Sequence, residues 1–197
     1  MAAYVPLFLT WLLFGCLHSL TAANAFKRWV LNRWRSLTPY YRLLYNGFAL
    51  LTFLPVWVAC RVAPRQYITA WSGSGVLGWL VLVAGLAVGL IALRGYDLAA
   101  FAGWPPRPVN AEYGTLRQQG LLRLVRHPLY AAILLVLAGI FLREPTWTNL
   151  LFGGFAFLYI RIGIYFEERK LIAVFGDEYR RYKTRVPMLL PVGNRRG

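Results

Sequence analysis

Arg126-His127-Pro128 stands directly before an uncharged run, Pro128–Leu142, and Glu167-Glu168 closes the next apolar run. An arginine, an imidazole and two carboxylates at the ends of membrane-like segments could hold a charged small molecule and move a proton. Proline costs nothing at the first helical position, so Pro128 marks a helix start. Arg126 and His127 then sit at the mouth of that helix, whose free N–H groups suit an anion. The plainer reading is a basic interface anchor that includes a histidine.

Arg161 lies about one and a half turns inside the end of the following helix. At about 100° per residue, Arg161, Tyr165 and Glu168 fall on one face, while Glu167 falls on the face of Gly163 and Ile164. A charge at membrane depth costs roughly 2.5–3.5 kcal/mol on insertion scales, so it faces a partner or a cavity. Arg161 is therefore either a clamp for substrate or cofactor, or an arginine that snorkels to the interface or pairs with Glu168. Beyond it, Leu171, Val174 and Phe175 give a helix from about Glu167 an apolar face. Gly176 signals a stop or kink, and Asp177 to Lys183 reads as a second short helix with Tyr179 and Tyr182 three apart. Such a segment is either an amphipathic surface helix or a lid over the site.

These residues need membrane helices to position them. The chain has 197 residues, 58% of them hydrophobic and 15% charged, which is too apolar for an ordinary soluble domain. Its formal charge of +15 is spread as punctuation between apolar runs, not as a basic stripe, which excludes a nucleic-acid partner. Charge-free runs cover Met1–Phe26, Leu43–Cys60, Gln66–Leu93 with its apolar core Val76–Leu93, Pro128–Leu142, and Pro145 to Ile160 continuing past Arg161 to Phe166. A bilayer needs roughly 20 apolar residues per helix, and backbone groups in lipid must be satisfied internally. The expectation is an all-α integral membrane protein of about five transmembrane helices, the last two forming a short hairpin, with helices in the tail. One membrane domain is expected, with three N-terminal helices in 1–93 and a cofactor-binding half in 94–197.

Lysines and arginines are dense after the first and third runs and in the tail, and sparse after the second and fourth. The positive-inside rule puts the N-terminus outside and the C-terminus in the cytoplasm, in a multi-pass, inner-membrane arrangement. The first run has no basic start and no small-residue cleavage site, so it reads as a retained helix. Cys16 and Cys60 lie in apolar runs as packing residues, and no metal site is expected. The polar segment Arg94–His127 contains the loop-forming stretch Trp104–Asn110.

The order RHPxY, an apolar hairpin, EE, then FGxxYxxYxxxVPxxxP resembles the integral-membrane methyltransferases. These include the isoprenylcysteine carboxyl, phospholipid and bacterial thiol S-methyltransferases. The likeness runs roughly from Leu116 to Pro191 and takes in Gly120 and Arg123-Leu124-Val125. In the first half, His18-Ser19, Lys27, Arg42 to Asn46, Gly95-Tyr96-Asp97, Phe101 and Gly103 are similar to the bacterial thiol branch and NnrU-like membrane proteins. The resemblance implies S-adenosylmethionine as cofactor. It implies that His127, Pro128 and Tyr130 line the cofactor pocket, with Arg126 at its edge. Glu167 or Glu168 would bind the cofactor's amino group or sulfonium surroundings, and Tyr179 and Tyr182 would close over it. Arg161 matches a family arginine and would orient the nucleophile, which makes Arg161 and Glu168 the candidate catalytic pair. Ala131 and Ala132 stand where the family often has glycine.

The resemblance implies an acceptor met at the lipid bilayer, either a lipophilic or small membrane-permeable thiol or an isoprenylcysteine carboxylate, with a phospholipid amine third. A carboxylate needs only desolvation and an arginine clamp, whereas a thiol, with an ordinary pKa of about 8.5, must lose its proton. Ala131, Ala132, Gly139, Gly153 and Gly154 would leave room for a lipid tunnel, or permit close helix packing. The competing class is a haem-binding or accessory NnrU-like membrane protein without methyltransferase activity, resting on His18. Oligomeric state stays open.

Overall fold

The computed structural model describes residues 2–68, 74–106 and 115–192. Arg107 to Asn110, the second part of the expected loop, and Glu112 lie outside the described residues. Seven α-helices are described: α1 (Val5–Ala22), α2 (Asn24–Arg33), α3 (Tyr41–Val62), α4 (Ser74–Leu93), α5 (Leu98–Ala102), α6 (Pro128–Arg143) and α7 (Trp147–Arg185). No named strand occurs among the described residues; a single antiparallel bridge joins Tyr67 and Thr146. Four helical stretches are long and apolar enough to cross a membrane: Ala2–Ala22, Tyr41–Val62, Gly75–Leu93 and Trp147–Arg185. The fifth apolar helix, α6, has 16 residues and spans about 24 Å, short of the roughly 30 Å hydrocarbon core. The chain divides into two compact units.

The first unit comprises Met1–Arg65 and Asp97–Glu112. Composition predicts one helix over the first charge-free run, Met1–Phe26, but the structure breaks it in two. Ala23 takes an extended conformation (φ −69°, ψ 133°) and separates α1 from α2, where the basic and tryptophan-bearing sequence turns away from pure apolarity. α1 and α3 pack through Trp11, Phe14 and Phe53 in edge-to-face contacts. His18 and Tyr45 join the same seam through a His18 Nε2–Tyr45 hydroxyl hydrogen bond. Asp97 caps α5 by accepting from the Ala100 N–H at 3.0 Å. At the other end, Arg42 donates to the Ala100 carbonyl at 2.9 Å, and Asn46 to those of Phe101 and Ala102 at 3.0 and 3.1 Å. Gly103 closes α5 at φ 91°, and a Cβ there would lie 2.7 Å from the Leu43 nitrogen. The Arg42-to-Asn46 motif is thus a clamp on the end of α5.

The second unit comprises Gln66–Tyr96 and Tyr113–Gly197. Its centre is the α4–α6 pair, where small residues let two backbones meet. A Cβ on Gly78 would lie 2.5 Å from the Arg143 nitrogen, one on Gly85 2.7 Å from that of Val136, and one on Gly139 2.5 Å from that of Leu82. Gly89 faces Ala132 at ordinary contact distance. Gly139 and Ala132 therefore serve helix packing, whereas added methyls on Gly153 and Gly154 would meet open space. α6 and α7 form the expected hairpin. Thr146 caps α7 by accepting from the Asn149 N–H at 3.2 Å, and Asn149 Nδ2 donates to the Glu144 carbonyl at 2.8 Å. The stretch before α4 pairs onto this turn, with Ile68 N–H donating to Pro145 and Trp147 N–H to Gln66.

A second boundary differs from the sequence expectation. The tail helix does not begin near Glu167; α7 runs unbroken through that position to Gly176, which sits at φ 55°, ψ −127°. Glu167-Glu168 ends the apolar stretch without ending hydrogen bonding, because both residues are competent helix formers. The kink at Gly176 and the second helical piece after it are as the sequence predicts.

Candidate active site

The polar residues singled out from the sequence gather at one end of the second unit. Pro128 occupies the first turn of α6, and His127 is its N-cap residue (φ −126°, ψ 66°). The tail returns past this point. Arg126 N–H donates to the Pro187 carbonyl at 2.9 Å and His127 N–H to that of Met188 at 3.1 Å. Two successive backbone bonds thereby lay residues 187–188 along the start of α6. Tyr182 adds a hydroxyl bond to the Leu122 carbonyl at 2.7 Å.

Glu168 is the hub. Its buried carboxylate takes Arg126 Nε at 2.8 Å and His127 Nε2 at 3.3 Å on Oε1, and Lys183 Nζ at 2.7 Å on Oε2. Arg126 also donates through Nη1 to the carbonyls of Lys183 and Val186. A buried carboxylate that is fully paired and hydrogen-bonded organises its surroundings. The helical spacing places Glu168 with Arg161; the structure separates them. The buried stripe of α7 is Ala156, Ile160, Ile164 and Glu168, four residues apart, while Arg161 and Tyr165 are exposed. Glu168 pairs with Arg126, Lys183 and His127, and not with Arg161, because the start of α6 brings Arg126 and His127 to it and the returning tail brings Lys183. Arg161 Nη1 instead donates to the Met188 sulfur.

Glu167 differs from its neighbour. Its Oε2 is buried without a hydrogen-bond partner and lies 3.8 Å from His127 Nδ1, an ion-pair distance only. The Tyr130 ring lies 5.7 Å from that of His127. Partial burial, and second the Glu167 charge, push the Tyr96 phenol above its ordinary pKa. Tyr179 is 1% exposed, its hydroxyl lacks a hydrogen-bond partner, and its ring packs 5.8 Å from Tyr182. Two buried polar atoms without partners, one anionic and one hydroxyl, fit a ligand that carries a cation and polar groups.

Sequence reasoning brings together Arg126, His127, Pro128, Tyr130, Glu167, Glu168, Tyr179 and Tyr182, and the structure does so too. It missed Lys183 and Met188. Both sit well beyond Glu168 in sequence, so no helical spacing signals their approach; only the chain reversal at Gly176 delivers them. Tyr96 was visible as part of a motif, without a role.

Comparison with known proteins follows this geometry. Residues 6–191 match the NnrU protein family. The methanethiol S-methyltransferase of Pseudomonas deceptionensis is 33% identical over 91% of this chain and 69% of its own length. Methanethiol S-methyltransferase 2 of Bradyrhizobium diazoefficiens is 34% identical over 91% and 70% respectively. The methanethiol S-methyltransferase of Mycobacterium tuberculosis is 32% identical over 90% and 74%. No solved structure matches the chain. A family match spanning almost the whole sequence, and relatives above 30% identity over nine-tenths of it, agree with the polar cluster at the mouth of α6: the chain belongs to the NnrU protein family, a membrane methyltransferase-like family.

Proposed function

We propose that this methyltransferase moves a methyl group from S-adenosylmethionine to a small, membrane-permeable thiol. The observation that carries the reading is the buried Oε2 of Glu167, an anionic acceptor without a hydrogen-bond partner, beside the His127 ring. S-adenosylmethionine supplies an activated methyl on a sulfonium and carries an ammonium group that suits such an acceptor. Glu167 binds that ammonium. Tyr130 and His127 line the pocket, and Tyr179 offers its unpaired hydroxyl to a polar atom of the ligand. Glu168 does not bind the ligand; it holds Arg126, His127 and Lys183 in place, since both its oxygens are already taken.

Arg161 presents a guanidinium near the tail and orients the acceptor. A nearby cation favours thiolate over thiol, which eases the proton loss that thiol methylation requires. The names of the relatives support a thiol acceptor over an isoprenylcysteine carboxylate. Alignment of donor and acceptor away from water supplies most of the rate, up to about 7–11 kcal/mol of barrier. All five apolar helices cross the bilayer in this reading, α6 in its hairpin with α7. The basic tail puts the C-terminus in the cytoplasm, where a soluble cofactor reaches the site.

The test is calorimetry of S-adenosylhomocysteine on the detergent-purified chain, followed by product detection with methanethiol. Micromolar binding and formation of the methyl thioether support the reading; a folded protein that does neither overturns it. The haem alternative is tested by a visible absorption spectrum of the same sample. The His18 Nε2 atom that would serve as an axial ligand is engaged by Tyr45.

A further inference from the structure

Met188 links two site residues that belong to different helices. Its carbonyl accepts from the His127 N–H at 3.1 Å, and its sulfur accepts from Arg161 Nη1. A thioether is a weak acceptor, whereas a guanidinium is suited to anions and bonds them with charge assistance. The Arg161 guanidinium is thus covered by a ligand that a sulfur anion would readily displace. The covering side chain is unbranched and has three rotatable bonds, so it moves aside at small cost. Its backbone does not follow, because the bonds from Arg126 and His127 to residues 187 and 188 pin it. The result is a movable side chain on a fixed wall.

We propose that Met188 is a specificity-determining residue: it caps Arg161 and limits the size of the sulfur acceptor that the guanidinium receives. The inference rests on the thiol-methyltransferase reading above. A small thiol fits the space from which the Met188 side chain swings; a bulky one meets the side chain again or the pinned backbone behind it.

The experiment compares wild type, Met188→Ala and Met188→Leu as full-length protein in detergent, with S-adenosylmethionine and methanethiol, 1-propanethiol or benzenethiol. Thioether products are quantified, and S-adenosylhomocysteine affinity and melting temperature are measured in parallel. The expected result is that Met188→Ala raises kcat/KM for the two bulkier thiols relative to methanethiol by about tenfold, the order that one or two methylenes are worth in a pocket. Met188→Leu, which keeps the bulk, retains the wild-type ratio. S-adenosylhomocysteine affinity stays unchanged in both. Should Met188→Ala fail to fold, Met188→Val provides the shortened side chain with the same expected direction. An unchanged acceptor profile in a folded shortened variant overturns the inference alone. A wild-type protein that methylates no thiol overturns the underlying reading, and is told apart by the absence of any product.

Discussion

Arg126 Nε lies 2.8 Å from Glu168 Oε1, with both side chains 7% exposed, so the mouth of α6 is tied to the inner face of α7 by a buried ion pair. Lys183 reaches the other oxygen of the same carboxylate from the returning tail. Removing the anion strands two cations. Glu168→Gln should lower stability by about 3 kcal/mol. It should also expose the segment after Gly176 to limited proteolysis. A variant that melts with wild type would show that the hub is not what holds the tail.

Glu167 should behave differently, since its Oε2 has no hydrogen bond to lose. Glu167→Gln keeps the shape and removes the charge. A charge-assisted hydrogen bond is worth about 1.5–3 kcal/mol, so S-adenosylhomocysteine should bind roughly 10- to 100-fold more weakly, with the melting temperature unchanged. Calorimetry beside a thermal melt separates the two glutamates: loss of stability for Glu168, loss of affinity for Glu167.

Arg161 is exposed and, among the described residues, bonds to the tail through the Met188 sulfur. Arg161→Ala should therefore reduce turnover with methanethiol at least about tenfold, while cofactor-product affinity stays within about twofold. Arg161→Lys keeps the charge and should recover part of the rate. Equal losses in turnover and cofactor affinity would move Arg161 from the acceptor side to the cofactor side.

Two glycines make a matched pair for the packing argument. A Cβ on Gly139 would lie 2.5 Å from the Leu82 nitrogen, while one on Gly153 would meet nothing within 4 Å. Gly139→Ala should cost about 1–3 kcal/mol by forcing α4 and α6 apart. Gly153→Ala, in a helix interior with open space, should be neutral or gain up to about 1 kcal/mol. Thermal melts in one detergent compare them directly.

Gly176 tests the chain reversal. Its φ of 55° with ψ −127° is a conformation that residues with a Cβ adopt only under strain, although no neighbouring atom blocks a methyl. Gly176→Ala should cost about 1–3 kcal/mol and loosen Lys183 from Glu168. Faster proteolysis of the tail in Gly176→Ala than in the unsubstituted chain would be the expected signature.

The membrane class and the bounds of some helices were present in composition. Charge-free runs bounded by lysine and arginine mark α3 and α6, and the apolar core Val76–Leu93 marks α4, to within a few residues, because lipid leaves a chain few ways to satisfy its backbone. The members of the polar site were legible as residue types at helix ends, since buried charge in an apolar sequence is rare and conspicuous. What helical spacing alone could not decide was pairing. It grouped Arg161 with Glu168 through one face of one helix, whereas tertiary structure gave Glu168 to Arg126, His127 and Lys183 and gave Arg161 to Met188. The division of labour between Glu167 and Glu168 had the same origin. Adjacent residues on a helix point about 100° apart, and only the packing of α6 and the tail against α7 determines which carboxylate is saturated and which is left open.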